Sequence, residues 1–137
     1  MSDLTTREAE KVRLTFSRVV ADRDAFSKSF YDRLFTVAPS VRLLFSTNMD
    51  MQREKLVATL ALVVRSVNNL DALRHDIREL GRRHVEYGAM PVHYDVLRDV
   101  FLDTMDEYIG EEFDAETRNA WAKLYDIVAG EMISSNY

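Results

Sequence analysis

The sequence predicts an all-α fold, and three observations carry that expectation. Apolar residues recur three and four positions apart along nearly the whole chain, the spacing of one helix face rather than of a strand. Only four Gly and two Pro occur in 137 residues, too little turn chemistry for a many-stranded β fold. Residues suited to helix starts, among them Thr5 and Asp114, stand directly ahead of the periodic stretches.

Six substantial helices and one short one account for the pattern. The first starts at Thr5, with Glu8 three residues on as a capping box, and is expected to bury Val12, Phe16, Val19 and Val20. The second follows Asp24 and carries Phe26, Phe30, Leu34 and Val37 on one stripe, with Tyr31 and Phe35 alongside. Pro39 ends it and suits the first turn of a short helix through Val41, Leu43 and Leu44, because proline has no N–H to leave unpaired there. Ser46-Thr47-Asn48 reads as a loop. A long helix from about Asp50 to Asn68 would bury Leu56, Leu60, Val63, Val64 and Val67. Asn69 or Asp71 then caps a helix presenting Leu73, Ile77, Leu80 and His84, which ends near Gly88. Pro91 opens another with Tyr94, Leu97, Val100, Phe101 and Met105, ending near Gly110. Asp114 caps the last, which carries Trp121, Leu124, Tyr125, Val128 and Met132.

No linker, repeat or low-complexity tract interrupts this series, so residues 1–137 read as a single domain, long enough to bury one core. The formal net charge of −5, spread along the chain, disfavours non-specific binding to nucleic acid or to an anionic membrane. No apolar run approaches the span of a bilayer, and Met-Ser-Asp-Leu-Thr-Thr-Arg-Glu has no signal-peptide apolar region, so a cytoplasmic location is the expectation. The chain has no Cys, which excludes disulfides, thiolate metal sites and thiol nucleophiles. His75, His84 and His93 show no zinc spacing, and no Ser lies in a Gly-x-Ser-x-Gly turn.

Two polar residues fall in apolar rows. Stepping back by fours from Leu60 through Leu56 reaches Gln52. The row Leu73, Ile77, Leu80 runs at steps of four, three and four into His84. A buried polar group without a partner costs roughly 1–3 kcal/mol, so each must be satisfied. A backbone carbonyl, a water or another side chain is the ordinary answer, and Gln52 lies near a helix start where solvent serves. His75, between Arg74 and Asp76, reads as part of a solvated face, and His93 as a helix-start residue. Periodicity alone assigns no cofactor.

The stretch Leu80-Gly81-Arg82-Arg83-His84-Val85-Glu86-Tyr87-Gly88, followed by Pro91-Val92-His93-Tyr94, resembles the proximal helix and following corner of bacterial single-domain globins and of the haem domain of flavohaemoglobins. Phe30-Tyr31-Asp32-Arg33-Leu34-Phe35, Pro39 and Leu44-Phe45 resemble the second and third helices of that family. Ala120-Trp121-Ala122-Lys123-Leu124-Tyr125 resembles its last helix. The resemblance spans nearly the whole chain with order and spacing intact, and it implies a globin fold, six long helices and one short one packed around a haem pocket.

It also implies roles. His84 would be the axial ligand to the iron of a non-covalently held haem b; covalent attachment through Cys-x-x-Cys-His is excluded. Phe45 would stack on the porphyrin. Tyr31 and Gln52 would be the polar groups of the distal pocket, and Leu56 its apolar wall, with Val63 near. Lys55 and Arg83 would pair with the haem propionates, although each reads equally well as a solvated surface charge. Tyr94 would lie behind the proximal histidine. In flavohaemoglobin-like relatives a glutamate near the chain end completes a network with that tyrosine, whereas here the corresponding position is Asn136, with Glu131 one or two turns earlier. A neutral amide cannot supply a carboxylate's field, which weakens the case for peroxidase-like activation.

The function so implied is reversible binding of O2, NO, CO or a similar small ligand for storage, delivery or scavenging. The alternative is an NO dioxygenase, which would need a separate reductase because no flavin or NAD domain follows. A gas-sensing or interaction module is the third reading, and no output domain accompanies it.

Overall fold

A computed structural model describes residues 3–45 and 48–137. Six α-helices carry the chain: α1 (Thr6–Ala21), α2 (Arg23–Val37), α3 (Met49–Arg65), α4 (Arg74–Glu86), α5 (Pro91–Ile109) and α6 (Ala115–Ser134). Short 3-10 segments occupy Pro39–Leu44, Leu70–Leu73 and Gly110–Glu112. No strand occurs among the described residues. The expected count of six long helices and a short one at Pro39 holds; Ser46 and Thr47 of the expected loop lie outside the described residues.

Local chemistry sets most helix starts. The Thr5 side chain accepts from the Glu8 backbone N–H at 3.1 Å while Glu8 accepts from the Thr5 N–H at 2.8 Å. Asp114 accepts from the Thr117 N–H at 2.8 Å, and Asn48 from the Asp50 N–H at 2.7 Å. Such caps are each worth about 1 kcal/mol. Pro39 and Pro91 occupy the first turns that follow them. The helix expected from Asn69 or Asp71 begins instead as the 3-10 turn Leu70–Leu73, with no side-chain cap from Asn69, because burying both Leu70 and Leu73 needs the tighter three-residue repeat.

Two caps bear on acid stability. Backbone hydrogen bonds, to Thr5 for Glu8 and to Thr117 for Asp114, hold both carboxyls below their usual range. Folded-state values lower than unfolded ones make this stabilisation full above roughly pH 4.5 and lost as pH falls through the folded-state values. The combined variant Glu8→Gln, Asp114→Asn should therefore lose less thermal stability than the parent between about pH 5 and pH 3. Parallel curves of thermal midpoint against pH would contradict it.

The packed helix pairs are α4 with α6, α2 with α5, α1 with α6, α2 with α3, α5 with α6, and α1 with both α2 and α3. Trp121 is 2 % exposed, and its indole N–H donates to Thr15 Oγ1 at 2.7 Å, so its one polar atom enters the core with a partner. Three expected core residues lie outside it: Val20, Val37 and Leu43 are exposed. Val20 falls next to the inward row of Val12, Phe16 and Val19, Val37 is the last residue of α2, and Leu43 lies in a 3-10 turn whose three-residue period buries Val41 alone.

A single-core domain of this size ordinarily has one contiguous apolar cluster. Here the buried residues form two. The larger contains Val12, Phe26, Phe30, Tyr31, Phe101 and Trp121 with Phe45 and Leu56 packed against it. The smaller contains Leu73, Ile77, Tyr94, Ala129 and Met132, with Leu80 packed against it. Tyr125 and Val128 of α6 pack against both clusters, and a cleft opens between α3 and α4.

Candidate functional site

The cleft between α3 and α4 is lined by Thr59, Leu62 and Val63 from one side and by Leu73, Asp76, Ile77, Leu80 and Arg83 from the other, with Val128 at its floor. Helical register extends both walls. Leu56 precedes Thr59 by three and Val63 by seven, and His84 follows Leu80 by four, so both continue the rows that face the cleft.

His84 is half-buried in the last turn of α4. Its Nδ1 lies 2.7 Å from the Leu80 carbonyl oxygen. A carbonyl can only accept, so Nδ1 carries the proton. Burial lowers the imidazole pKa, and the nearby Arg83 charge lowers it further, against the raising effect of the Leu80 hydrogen bond. A neutral imidazole with Nδ1 protonated keeps its lone pair on Nε2, for which no hydrogen-bond partner is found among the described residues. That is the state in which histidine ligates a metal, and the bond on the other nitrogen fixes the ring as a metal site requires. The acceptor is a backbone atom one turn back, which residue-type patterns do not reveal.

On the larger cluster, Gln52 Nε2 donates to the Tyr31 hydroxyl oxygen at 3.2 Å. Tyr31 is 5 % exposed, and burial raises its pKa while the Gln52 hydrogen bond opposes the rise. The phenol is therefore neutral, and with its oxygen already accepting from Gln52 its O–H remains a donor. Phe45 stands edge-on to Tyr31 with ring centroids 5.6 Å apart. Leu56 is half-buried against the same cluster.

The expected residues thus fall into two groups. Tyr31, Gln52, Phe45 and Leu56 gather on the larger apolar cluster; Tyr94 belongs to the smaller, and the His84 ring lies 6.2 Å from its ring. Lys55 and Arg83 are exposed and form no ion pair among the described residues. Arg83 lines the cleft, whereas Lys55 does not.

Near His84, Tyr94 is 7 % exposed and its hydroxyl has no hydrogen-bond partner among the described residues. Burial, then the neighbouring Tyr137, pushes it up to about 12. Asn136 donates its amide to the Met132 carbonyl at 2.9 Å, and the Glu131 carboxylate is held by Arg78 at 2.6 Å. Neither side chain is bonded to Tyr94.

Sequence reading missed Gly81. A Cβ there would stand 2.8 Å from the Met132 carbonyl oxygen and 2.9 Å from the Met132 Cα. The missing side chain is what lets α4 lie close on α6, one turn from His84. A glycine inside the row that holds Ile77 and His84 is the signal that marked it.

These features fit a haem. The donor set offers one neutral, oriented imidazole on α4 and, on the larger apolar cluster, a neutral phenol supported by an amide. No group of three or more His, Cys, Asp or Glu among the described residues is placed to hold a metal ion on its own, so an iron here would need the porphyrin for its other ligands. No helix among the described residues is long and apolar enough to cross a membrane.

Comparison with known proteins agrees. Among curated proteins, the chain is 24% identical over 128 residues to the anaerobic nitrite reductase NSHB5 of Oryza sativa subsp. indica, covering 89% of this chain and 88% of that one. It is 23% identical over 133 residues to the flavohemoprotein of Bacillus subtilis (strain 168), covering 95% of this chain but 33% of the longer protein. Among solved structures, an engineered carbene transferase assigned as a nitric oxide dioxygenase of Rhodothermus marinus superposes with a TM-score of 0.85 at 26% identity, covering 96% of this chain and 93% of that one. A bacterial globin from Campylobacter jejuni shares the fold, with a TM-score of 0.82 at 20% identity over 96% of this chain and 95% of that one. The family model for globins matches residues 28–132. A chain of six long helices that carries this match belongs to the globin family, a family of haem-binding proteins.

Proposed function

We propose that this protein is a haem b globin that binds O2, and other diatomic ligands such as NO and CO, reversibly through iron held by His84. The observation that carries the reading is the Nε2 lone pair of His84, left without a protein partner while Nδ1 is fixed on Leu80. The haem, when bound, supplies the iron that takes up the ligand. His84 orients and holds it; Phe45, Leu56 and Val63 line the pocket with apolar surface and exclude water. Tyr31 offers its O–H to a ligand that becomes partly anionic, and Gln52 holds the phenol in that orientation. Arg83, on the cleft wall, and Lys55, on α3, offer cations for the propionates. Tyr94 packs behind the imidazole.

Loss of the Tyr31 hydroxyl tests this arrangement. A hydrogen bond to a partly charged group is worth about 1.5–3 kcal/mol, so Tyr31→Phe should speed O2 release on the order of tenfold or more. CO, which gathers less charge, should leave at nearly the parent rate. Equal O2 release rates in parent and variant, measured by stopped flow, would mean the phenol does not reach the ligand.

An enzymatic reading has support of its own: the similar Rhodothermus structure is assigned as a nitric oxide dioxygenase. In this reading the same pocket converts NO and O2 to nitrate, and a separate reductase partner resets the iron. Sustained consumption of many equivalents of NO with a supplied reductase would favour the enzyme. Consumption of about one equivalent by the O2-loaded protein, and then none, would favour the binder.

A further inference from the structure

Arg42 closes the aromatic wall beside Tyr31 from outside. It lies in the last turn of the 3-10 segment Pro39–Leu44, and its Nη1 donates to the Phe45 carbonyl oxygen at 2.9 Å. Its guanidinium carbon stands 5.5 Å from the centroid of the Phe35 ring. Phe35 in turn packs against Phe45, centroids 5.5 Å apart and planes at 70°. Both rings neighbour Tyr31, at 5.9 Å and 5.6 Å. One guanidinium thus touches two members of a three-ring cluster whose third member is the proposed ligand donor.

We propose that Arg42 is a positioning residue: it fixes Phe45 and Phe35, and through them the direction in which Tyr31 presents its hydroxyl. The proposal rests on the reading of Tyr31 as the donor to the bound ligand. The local chain gives the clamp something to do. Phe45 caps a 3-10 helix, whose hydrogen bonds are weaker than those of an α-helix, and its own N–H reaches the Arg42 carbonyl only at 3.2 Å. The Arg42 side chain adds a charge-assisted bond to the same residue. A guanidinium supplies both that donor and a flat face for the Phe35 ring, whereas a lysine supplies a donor without the face.

A double-mutant cycle on the haem-reconstituted protein separates positioning from general support. Arg42→Ala should raise the O2 release rate about fivefold, and Arg42→Lys less, matching an exposed cation–π contact plus part of a hydrogen bond. In the Tyr31→Phe background, Arg42→Ala should change the rate less than about twofold. The same factor in both backgrounds overturns the proposal. A second readout needs no haem: in the protein alone, the nuclear Overhauser contact between the Phe35 and Phe45 rings should weaken in Arg42→Ala at unchanged helical content. A contact of undiminished strength overturns the clamp even if Tyr31 is the donor. A weakened contact with no effect of Tyr31→Phe on release shows instead that the ligand reading failed while the clamp itself is real.

Discussion

Replacing His84 with alanine should leave a folded protein that no longer retains haem. The substitution removes the imidazole one turn beyond Leu80, which lines the α3–α4 cleft, and neither His75, which is exposed, nor His93, whose Nδ1 accepts from the Met90 N–H at 2.8 Å, is placed to replace it. The folding cost is small by comparison. One hydrogen bond to the Leu80 carbonyl is lost, worth roughly 1 kcal/mol, and that carbonyl remains inside a helix. Far-ultraviolet circular dichroism should therefore be unchanged, while haem passes to apomyoglobin within minutes. Free imidazole should restore part of the uptake by filling the space left, which would separate loss of a ligand from loss of a fold. A variant that keeps its haem, with parent-like reduced spectra, would show that His84 is a core histidine and nothing more.

Gly81→Ala should destabilise the protein, against the ordinary preference of helices for alanine. Two effects oppose each other at this position. Alanine favours a helix interior over glycine by about 1 kcal/mol. The new methyl would stand 2.8 Å and 2.9 Å from backbone atoms of Met132, and backbone cannot rotate aside as a side chain does. Relief requires α4 to move off α6, the helix it packs on most extensively, and overpacking of this kind costs about 1–3 kcal/mol. The clash outweighs the helix preference by up to about 2 kcal/mol, a fall of several degrees in the thermal midpoint. Since His84 lies three residues on, the shift should also weaken haem retention. Gly130 supplies the control: a Cβ there meets nothing within 4 Å, so Gly130→Ala should stabilise α6 by about 0.5–1 kcal/mol. A rise in thermal midpoint for Gly81→Ala, like that for Gly130→Ala, would mean the close crossing does not constrain the helix.

The two cases mark where sequence reading reaches and where it ends. Helices were legible because their causes are local: the Thr5–Glu8 capping box, Asp114, and the prolines at 39 and 91 act within one turn, and the three-and-four spacing of Phe26, Phe30 and Leu34 needs no knowledge of the partner helix. Gln52 and His84 stood out for the same reason, as polar residues in apolar rows. What the rows meet is not local. The exposure of Val20 and Val37 follows from where α2, α3 and α5 run, and the outward turn of Leu43 from a 3-10 rather than an α repeat. The contact between Gln52 and Tyr31, 21 positions apart, and the approach of Gly81 to Met132, 51 positions apart, exist only once the helices cross. The resemblance put Tyr31 and Gln52 in one pocket without a bond between them; both contacts come from the structure.

The absence of a hydrogen bond from Tyr94 to either Asn136 or Glu131 bears on the choice between binder and enzyme. His84 is polarised by a backbone carbonyl, a neutral acceptor, and the Glu131 carboxylate is already held by Arg78. A histidine so placed is a weaker electron donor than one backed by a carboxylate, which is why ligand binding is put ahead of oxidative turnover here.

A titration of the purified protein with hemin, followed by gel filtration and an absorption spectrum, bears most directly on the claim that an inward imidazole parts the core around a haem. Saturation near one equivalent, with a Soret band that travels with the protein and shifts on reduction and again on adding CO, is the expected result. A protein that elutes colourless after mixing with excess hemin would contradict it.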